Sequence, residues 1–530
     1  MNNVPSKPSD LGFDPKRFPI WREHQRELIE AVVHSKHANI LVNAPPGFGK
    51  SLFAAALAEV LGGTAQYLVT TKSLQLQIAG EFDYIFSMWG RNNHHCALPG
   101  EESKTVDKAI CNIGYQCELR NVACPYYLAR AAAYKSRVMV TNYSWFFHNN
   151  EHSFPPLPTP TVLICDEADT IEAAIMGYAA ITITAEDAWE LGLPLPNAAT
   201  MNGWLAQAKV RIAEYEQGAK EKFKATRHKP FDAQFVSPDD MFTLSIAEML
   251  ANAERLKDTI GKMENGWKNH ATLYVIDSSP LQFTIRPIVA TLNSHELIEQ
   301  RAPKRVFMSA TILDKQGFCD ELGLSPTATD YIDIPSTFPV EHRPLYLHNR
   351  GFLNNKTLAD SLPDIVEWID DLIAAYGMKK GIIHTTSYRI AQYILQNSTY
   401  RDQMIGHKPH NRATAIKHFK HKAAQAVIVS PSLVRGEDFP GHHAEWQAIV
   451  KAPYPNIADP QVKARMELDN QWVTRVTLRN LIQAYGRGTR KEDDVCATHV
   501  YDANVTNLLH RASTSVPLYI KDAIIQFKGE

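Results

Sequence analysis

No apolar run in this sequence approaches the ~20 residues that a helix needs to span a bilayer. The first residues, Met1 to Asp10, also lack the apolar centre of a secretory signal peptide, so we expect a cytoplasmic protein. Neither sign of charge is in excess, because 55 basic and 57 acidic residues leave a net charge of −2. This balance excludes a general affinity for polyanions, and any nucleic-acid site must be a local patch.

Cysteine is scarce and unevenly placed. The chain has seven cysteines in 530 residues, and a disulfide framework is not expected in a reducing compartment. Four of them lie in one short segment, which indicates a metal centre: Cys96, Cys111, Cys117 and Cys124. Their gaps are wider than those of zinc knuckles, whereas a terminal Cys-Pro also occurs in bacterial ferredoxins. The spacing alone leaves an iron–sulfur cluster, a zinc site and unligated cysteines open.

The composition that remains is that of a globular protein, with 45% hydrophobic and 21% charged residues. Within it, the sequence A-P-P-G-F-G-K-S follows an apolar run, Ile40 to Val42, and precedes an alanine-rich stretch. Strand, glycine loop and helix in this order predict a phosphate site, because loop N–H groups and the helix dipole both attract anions. Lys50 is expected to reach the outer phosphates, and Ser51 to bind Mg²⁺. The residues that we assign to this loop are Ala44, Pro45, Pro46, Gly47, Phe48, Gly49, Lys50 and Ser51.

Two carboxylates follow a second apolar strand, Val162 to Cys165. Asp166 and Glu167 open the sequence D-E-A-D at the carboxyl end of that strand, where open α/β sheets place their ligand chemistry. We expect Asp166 to hold Mg²⁺ through water, and Glu167 to orient and deprotonate the attacking water.

Arg22 and Gln25 precede the glycine loop and lie three residues apart on a predicted helix. Because glutamine offers both a donor and an acceptor, the pair can read an adenine edge. A solvated helix face is the alternative.

Polar residues also follow three further predicted strands. Those after the second strand suit contacts with a phosphate backbone or an ordinary helix N-cap. The two hydroxyls in S-A-T are expected to relay between the nucleotide and a bound strand. These coupling residues are Thr71, Lys72, Gln77, Asn142, Ser309 and Thr311.

From about Gly177 to Asp277 the strand signals thin out, and two helical stripes indicate a mostly helical insertion. A basic run from Lys220 to Lys229 predicts an exposed turn there, which suits either DNA contact or solvation.

After a predicted linker, Pro335 to Pro344, the chain reads as a second α/β domain without a phosphate loop. Near its end lies Q-A-Y-G-R-G-T-R, in which Arg487 and Arg490 are predicted to share a helix face. Two arginines that face a nucleotide held by another domain would act as arginine fingers.

Taken in order, these motifs resemble those of the superfamily 2 helicases and, within them, the XPD/DinG family of iron–sulfur DNA helicases. The resemblance runs from Trp21 to about Asp502, and includes the four cysteines placed before D-E-A-D. It implies two RecA-like motor domains, with a cluster domain and a helical arch inserted in the first. It also implies ATP-driven movement along single-stranded DNA, usually 5′ to 3′.

The resemblance implies a role for each set of residues. One [4Fe–4S] cluster would be held by the four cysteines, and ATP with Mg²⁺ would lie between the motor domains. The residues that would carry hydrolysis are Lys50, Asp166, Glu167, Arg487 and Arg490. Further ATP contacts would come from Arg22, Gln25, Gly436, Asp438 and Gln483. The expected partners are single-stranded and forked DNA, and the expected motor is monomeric.

We therefore expect an α/β protein with an N-terminal tail at 1–17 and RecA-like domains at 18–330 and 331–530. The first domain would contain the cluster insertion at 86–135 and the arch-like insertion at 177–277. An RNA helicase or a protein-displacing translocase with the same motor is one alternative. A DNA-binding clamp that does not hydrolyse ATP is another, and the intact Glu167, Arg487 and Arg490 argue against it.

Overall fold

A computed structural model describes residues 4–109, 111, 117–152, 155–227, 241–422, 425–433, 437, 439–489, 491 and 493–526. Within these residues the chain forms two seven-stranded parallel sheets and one three-stranded antiparallel sheet. In the same part of the chain, no helix combines the length and the apolar character that crossing a membrane requires.

The first parallel sheet has the strand order β10-β1-β9-β5-β2-β4-β3. Its strands are β1 (Asn39–Asn43), β2 (Ala65–Val69), β3 (Ile85–Ser87), β4 (Val138–Asn142), β5 (Val162–Cys165), β9 (Lys304–Ser309) and β10 (Thr329–Asp333). The helices around it are α1 (Gln25–His34), α2 (Lys50–Leu61), α3 (Lys72–Glu81), α4 (Pro125–Lys135), α5 (Tyr143–His152), α6 (Ile171–Tyr178), α10 (Thr291–Leu297) and α11 (Lys315–Leu322).

The central residues of β1 are apolar on both faces of the sheet because helices cover both faces. Ile40 and Val42 pack into one hydrophobic core with α1 and α2, and Leu41 packs into the other core with α5 and α6. A parallel sheet that is buried on both sides accounts for the uninterrupted apolar runs in the sequence. The segment before residue 18 also joins the first core, through the buried ring of Phe13.

The second parallel sheet has the strand order β13-β14-β12-β15-β16-β11-β17. Its strands are β11 (Leu345–Gly351), β12 (Gly381–His384), β13 (Met404–Ile405), β14 (Val427–Ser430), β15 (Trp446–Ile449), β16 (Ala497–Asp502) and β17 (Ile524–Gln526). Its helices are α12 (Leu358–Tyr376), α13 (Tyr388–Asn397), α14 (Arg412–His421), α15 (Pro460–Leu468), α16 (Trp472–Tyr485), α17 (Asn504–Arg511) and α18 (Leu518–Lys521). The two parallel sheets confirm the predicted α/β class.

The insertion between α6 and α10 is a long helical hairpin on a small antiparallel sheet. Its elements are β6 (Ile181–Thr184), α7 (Ala185–Glu190), α8 (Met201–Arg227), α9 (Met241–His270), β7 (Tyr274–Ser279) and β8 (Gln282–Pro287). The two predicted helical stripes are confirmed as α8 and α9, whose apolar residues form a shared core. The sheet, with the order β6-β8-β7, was not predicted. The predicted basic turn is wrong for Lys220, Lys222, Lys224 and Arg227, which lie on α8, and His228 and Lys229 lie outside the described residues.

Candidate active site between the two domains

The glycine loop connects β1 to α2 and opens into a cleft between the two parallel-sheet domains. Gly47 and Gly49 have φ angles of +80° and +84°, a region that glycine adopts without strain. A Cβ atom on Gly47 would lie 2.0 Å from the ring of Phe338, which comes from the chain between the domains. The loop therefore needs glycine at both positions, and α2 begins at Lys50 with its N-terminus at the cleft.

Arg22 and Gln25 hold the glycine loop through hydrogen bonds to its carbonyl oxygens. The amide nitrogen of Gln25 donates to the carbonyl oxygens of Phe48 at 2.8 Å and Gly49 at 3.2 Å. Its amide oxygen accepts from the N–H of Arg22 at 2.9 Å, and the Arg22 guanidinium donates to the Gly47 carbonyl. Gln25 is fully buried. Both amide hydrogens of Gln25 are thus used by the loop in this structure, and its reading of an adenine edge stays a prediction.

Asp166 lies at the end of β5 and is held by two hydrogen bonds. One carboxylate oxygen accepts from the Tyr67 hydroxyl at 3.0 Å, and the other accepts from the N–H of Glu167 at 2.8 Å. Burial raises the pKa of the Asp166 carboxyl, and the ammonium of Lys50 opposes that rise. Burial and Asp166 together raise the pKa of Tyr67 well above its ordinary value, so Tyr67 stays a hydrogen-bond donor.

Glu167 has a φ of +48°, in the left-handed region, which costs on the order of 1–3 kcal/mol for a residue with a side chain. Its backbone carbonyl accepts from the hydroxyl of Thr170 at 2.8 Å, and its carboxylate accepts from the hydroxyl of Thr70. Thr70 follows β2, so two adjacent strand ends fix this carboxylate. From the sequence, Tyr67 reads as part of a buried strand and Thr70 as a polar residue after it, and neither was assigned to the two carboxylates.

A chain of hydrogen bonds crosses from the first domain to the second. The Ser309 hydroxyl donates to Asp169 at 2.6 Å and is bonded to the Thr311 hydroxyl at 3.0 Å. The amide nitrogen of Gln483, on α16, donates to the Thr311 hydroxyl at 3.2 Å. The amide oxygen of Gln483 in turn accepts from Arg487 at 3.3 Å. The two hydroxyls of S-A-T therefore connect D-E-A-D with the second domain.

Arg487 lies two residues beyond the end of α16 and is 2% exposed. Its guanidinium donates to the carbonyl oxygen of Glu437 at 2.6 Å. The predicted shared helix face of Arg487 and Arg490 is wrong for Arg487, because the helix ends at Tyr485. Arg490 lies outside the described residues, as do Gly436 and Asp438.

The two domains close on a cleft of about 770 Å³. The first domain contributes Lys50, Ser51, Asp166 and Glu167 to its walls, and the second contributes Gln483 and Arg487. Close approach of the domains depends on Gly486, where a Cβ atom would lie 2.9 Å from the Pro46 side chain. The cleft can therefore hold a phosphate chain between a lysine on one side and an arginine on the other.

The remaining coupling residues have local partners in this structure. Thr71 caps α3 by accepting from the N–H of Leu74 at 3.3 Å, so the N-cap reading describes its side chain. Gln77 donates to Glu81, Lys72 donates to Asn93, and Asn142 accepts from the N–H of Trp145. Thr71 and Gln77 also lie on the wall of the nucleotide cleft. Contacts of these residues with nucleic acid stay a prediction.

The four clustered cysteines surround one small cavity next to α4, together with apolar side chains. Burial raises the pKa of the Cys96 and Cys111 thiols, and the neighbouring cysteines raise it further. In the described part of the chain, no three side chains of cysteine, histidine, aspartate or glutamate are arranged as a metal site. The donor set and its convergence on one cavity fit an iron–sulfur cluster or zinc, and the choice between them stays a prediction.

Two family models match this chain. Residues 22–185 match the model of the DEAD/DEAH box helicases, and residues 371–517 match the helicase C-terminal domain. No curated protein sequence matches.

The fold resembles that of solved XPD helicases along almost the whole chain. One XPD helicase structure has a TM-score of 0.61 at 14% identity, covering 96% of this chain and 99% of that one. An XPD apo structure has a TM-score of 0.57 at 13% identity, covering 96% of this chain and 100% of that one. Xpd4 of S. tokodaii has a TM-score of 0.58 at 12% identity, with coverage of 96% and 100%. The two parallel-sheet domains are thus RecA-like.

Proposed function

We propose that this chain, which matches two family models of helicases and shares the fold of XPD helicases, uses ATP to move along single-stranded DNA and to separate duplex DNA. The proposed direction is 5′ to 3′, and the proposed motor domains are residues 18–330 and 331–530. The observation that carries this proposal is the hydrogen-bonded path from Asp169 through Ser309 and Thr311 to Gln483 and Arg487. Through such a path, a change at the nucleotide would alter the position of Gln483 and Arg487 in the second domain.

Each residue at the cleft has a role in this mechanism. Lys50 and the N–H groups of the glycine loop would bind the outer phosphates of ATP. Asp166 and Ser51 would hold Mg²⁺, which neutralises phosphate charge when it is bound. Glu167 would take a proton from the attacking water. Arg487 would stabilise the charge that develops on the transferred phosphoryl group.

Domain motion would follow from the same contacts. ATP would draw Arg487 towards the glycine loop, and its hydrolysis would remove the charge that holds the two sides together. Closure and reopening would move the domains relative to each other, and a strand bound across both would be stepped. Thr71, Lys72, Gln77 and Asn142 are proposed to contact that strand in its bound state, after exchange of their present partners.

The cysteine cavity is proposed to hold a [4Fe–4S] cluster, since four thiolates supply one ligand to each iron. Its role would be structural, because a segment of about forty residues buries too little apolar surface to be stable without a staple. The cavity lies next to α4 and outside the strands that carry the ATP residues, so hydrolysis should not depend on it directly.

An ATPase assay with and without single-stranded DNA or RNA tests the proposal. We expect turnover by the wild-type protein that DNA stimulates more than RNA. Lys50→Ala should remove turnover while the protein still unfolds cooperatively, and Glu167→Gln should bind ATP but hydrolyse it slowly. Stimulation by RNA alone would assign an RNA helicase instead, and normal turnover by Lys50→Ala would refute the site.

A further inference from the structure

One stripe of side chains on α16 faces the first domain. Arg475, Arg479 and Gln483 follow each other at intervals of four residues, a spacing that places them on one face of the helix, and Arg487 lies two residues beyond the helix end. Gln483, at the C-terminal end of this stripe, and Arg487, just past the helix, belong to the nucleotide cleft. Arg475 and Arg479 are not among its lining residues, and neither was singled out from the sequence.

Glu321, on α11 of the first domain, binds both of these arginines. One oxygen of its carboxylate accepts from Arg475 at 3.2 Å, and the other lies 2.8 Å from Arg479. Glu321 and Arg479 are 2% and 3% exposed, so this contact is almost free of solvent. Burial acts to lower the pKa of the Arg479 guanidinium, yet Glu321 raises it above its ordinary value. Arg479 is therefore charged in the folded protein.

Glu172, on α6, holds the beginning of the same helix. Its carboxylate accepts from Trp472, the first residue of α16, at 2.9 Å. It also accepts from two nitrogens of Arg465, on α15, at 3.1 and 3.0 Å. α6 follows D-E-A-D, and α11 follows S-A-T. The two carboxylates therefore stand on helices that begin shortly after the nucleotide-site strands.

These contacts restrict how α16 can move. A buried guanidinium that loses its carboxylate keeps its desolvation cost, so the pairs strongly favour one position of the helix. Gln483 lies four residues beyond Arg479, or about 6 Å along the helix axis at 1.5 Å per residue, and Arg487, just past the helix end, donates to both its carbonyl and its amide oxygen. A small tilt at the paired end is thus carried to the arginine at the cleft.

We infer that Glu321, together with Glu172, is a positioning residue for ATP hydrolysis. By holding the paired end of α16, these carboxylates set the place of Gln483 and Arg487 against the nucleotide. The inference rests on the proposed ATPase function and adds residues that do not touch the nucleotide. Since it concerns the placement of an arginine that acts on developing charge, its effect belongs to turnover and not to ATP affinity.

The test is Glu321→Gln, measured alone and combined with Arg487→Ala. Glu321→Gln should lower kcat at least tenfold, while the KM for ATP and the Kd for a non-hydrolysable ATP analogue change less than threefold. In the Arg487→Ala background the same substitution should have almost no further effect on kcat, because the residue through which it acts is already absent. Effects that multiply in the double variant would overturn the inference.

Arg286→Gln is the matched control. Arg286, on β8 of the insertion, also pairs with the second domain, through Asp459 at 3.0 Å, but not through α16. Arg286→Gln should leave kcat within twofold of the wild type. If it lowers kcat as much as Glu321→Gln does, loss of any contact between the domains lowers turnover, and the inference fails. If Glu321→Gln lowers the unfolding temperature, Arg475→Gln is measured as well, since it removes only the contact between Arg475 and Glu321 and leaves that between Arg479 and Glu321. It should then show a smaller loss of kcat with the same non-additivity.

Wild-type turnover in the same assay separates this inference from the proposed function. Absence of wild-type activity with nucleic acid present would refute the ATPase. An active wild type beside a fully active Glu321→Gln would refute the positioning role alone.

Discussion

Replacement of Gln25 by alanine tests whether this residue braces the glycine loop or reads the base. The side chain is fully buried and makes three hydrogen bonds, to the carbonyls of Phe48 and Gly49 and from the N–H of Arg22. Each neutral hydrogen bond of this kind contributes about 1 kcal/mol, so three amount to about 3 kcal/mol. Water that enters the vacated space restores part of this. We therefore expect Gln25→Ala to weaken nucleotide binding by about 10- to 100-fold.

The assay compares ligands with and without a base. Affinities of ATP, GTP and inorganic tripolyphosphate are measured by competition against a fluorescent ATP analogue. If Gln25 acts on the loop, all three ligands should weaken by a similar factor. Arg26→Ala is the control, because Arg26 lies on the same helix but pairs with Glu30 on its exposed side. It should leave all three affinities within twofold. Loss of ATP affinity alone, with tripolyphosphate unchanged, would refute the bracing role.

Three further predictions concern Arg487, the clustered cysteines and the pH dependence of stability. Arg487→Ala should lower kcat by about 10³-fold or more with little change in ATP affinity, and a change in affinity alone would make Arg487 a ground-state binder. Cys111→Ser should lose iron, labile sulfide and unwinding but keep ATP turnover, whereas Cys319→Ala should keep its iron; native protein with zinc and no sulfide would refute the cluster. Burial lowers the pKa of His384 from 6.5 to about 4 and that of His499 from 6.5 to about 3. The contribution of these two neutral histidines to the free energy of unfolding is therefore complete above pH 6.5. It falls as the pH drops towards their folded-state pKa values, because the unfolded chain binds the protons first. His384→Gln should reduce this loss in urea unfolding, and an unchanged pH dependence would contradict it.

The parts of this protein that could be predicted from its sequence are those in which chemistry depends on adjacent residues. The glycine loop is one, since the positive φ angles of Gly47 and Gly49 and the helix start at Lys50 are all encoded within eight residues. The apolar runs of strands such as β1 and β5 are another, because strands buried on both faces are mostly apolar, although buried polar residues such as Gln66 and Gln447 interrupt other strands.

Features that depend on contacts distant in sequence could not be predicted in this way. Tyr67 donates to a carboxylate 99 positions away, and Arg479 meets Glu321 across the domain boundary. The spacing of four residues from Arg475 to Arg487 was visible in the sequence, but that Arg475 and Arg479 bind Glu321 follows only from the position of α11 in the fold. Gln25 was expected at the base because its amide can donate and accept, and its contacts with the loop could not be read from that capacity alone.

The short sheet at the base of the insertion was missed for a similar reason. Ile181–Thr184 alternates apolar and polar residues, but its partner strand β8 lies about a hundred residues later, with register pairs such as Ile183 and Phe283. Only the closure of the α8–α9 hairpin brings the two strands together, and a single short alternation is a weak signal without its partner.

Unwinding of tailed DNA duplexes tests the central claim most directly. Duplexes that carry a single 5′ tail, a single 3′ tail or no tail are mixed with anaerobically purified protein and ATP, and release of the labelled strand is followed in time. The account predicts ATP-dependent release from the 5′-tailed duplex by the wild type, and none by Glu167→Gln. Turnover of ATP without release from any DNA substrate, or equal release by Glu167→Gln, would contradict it.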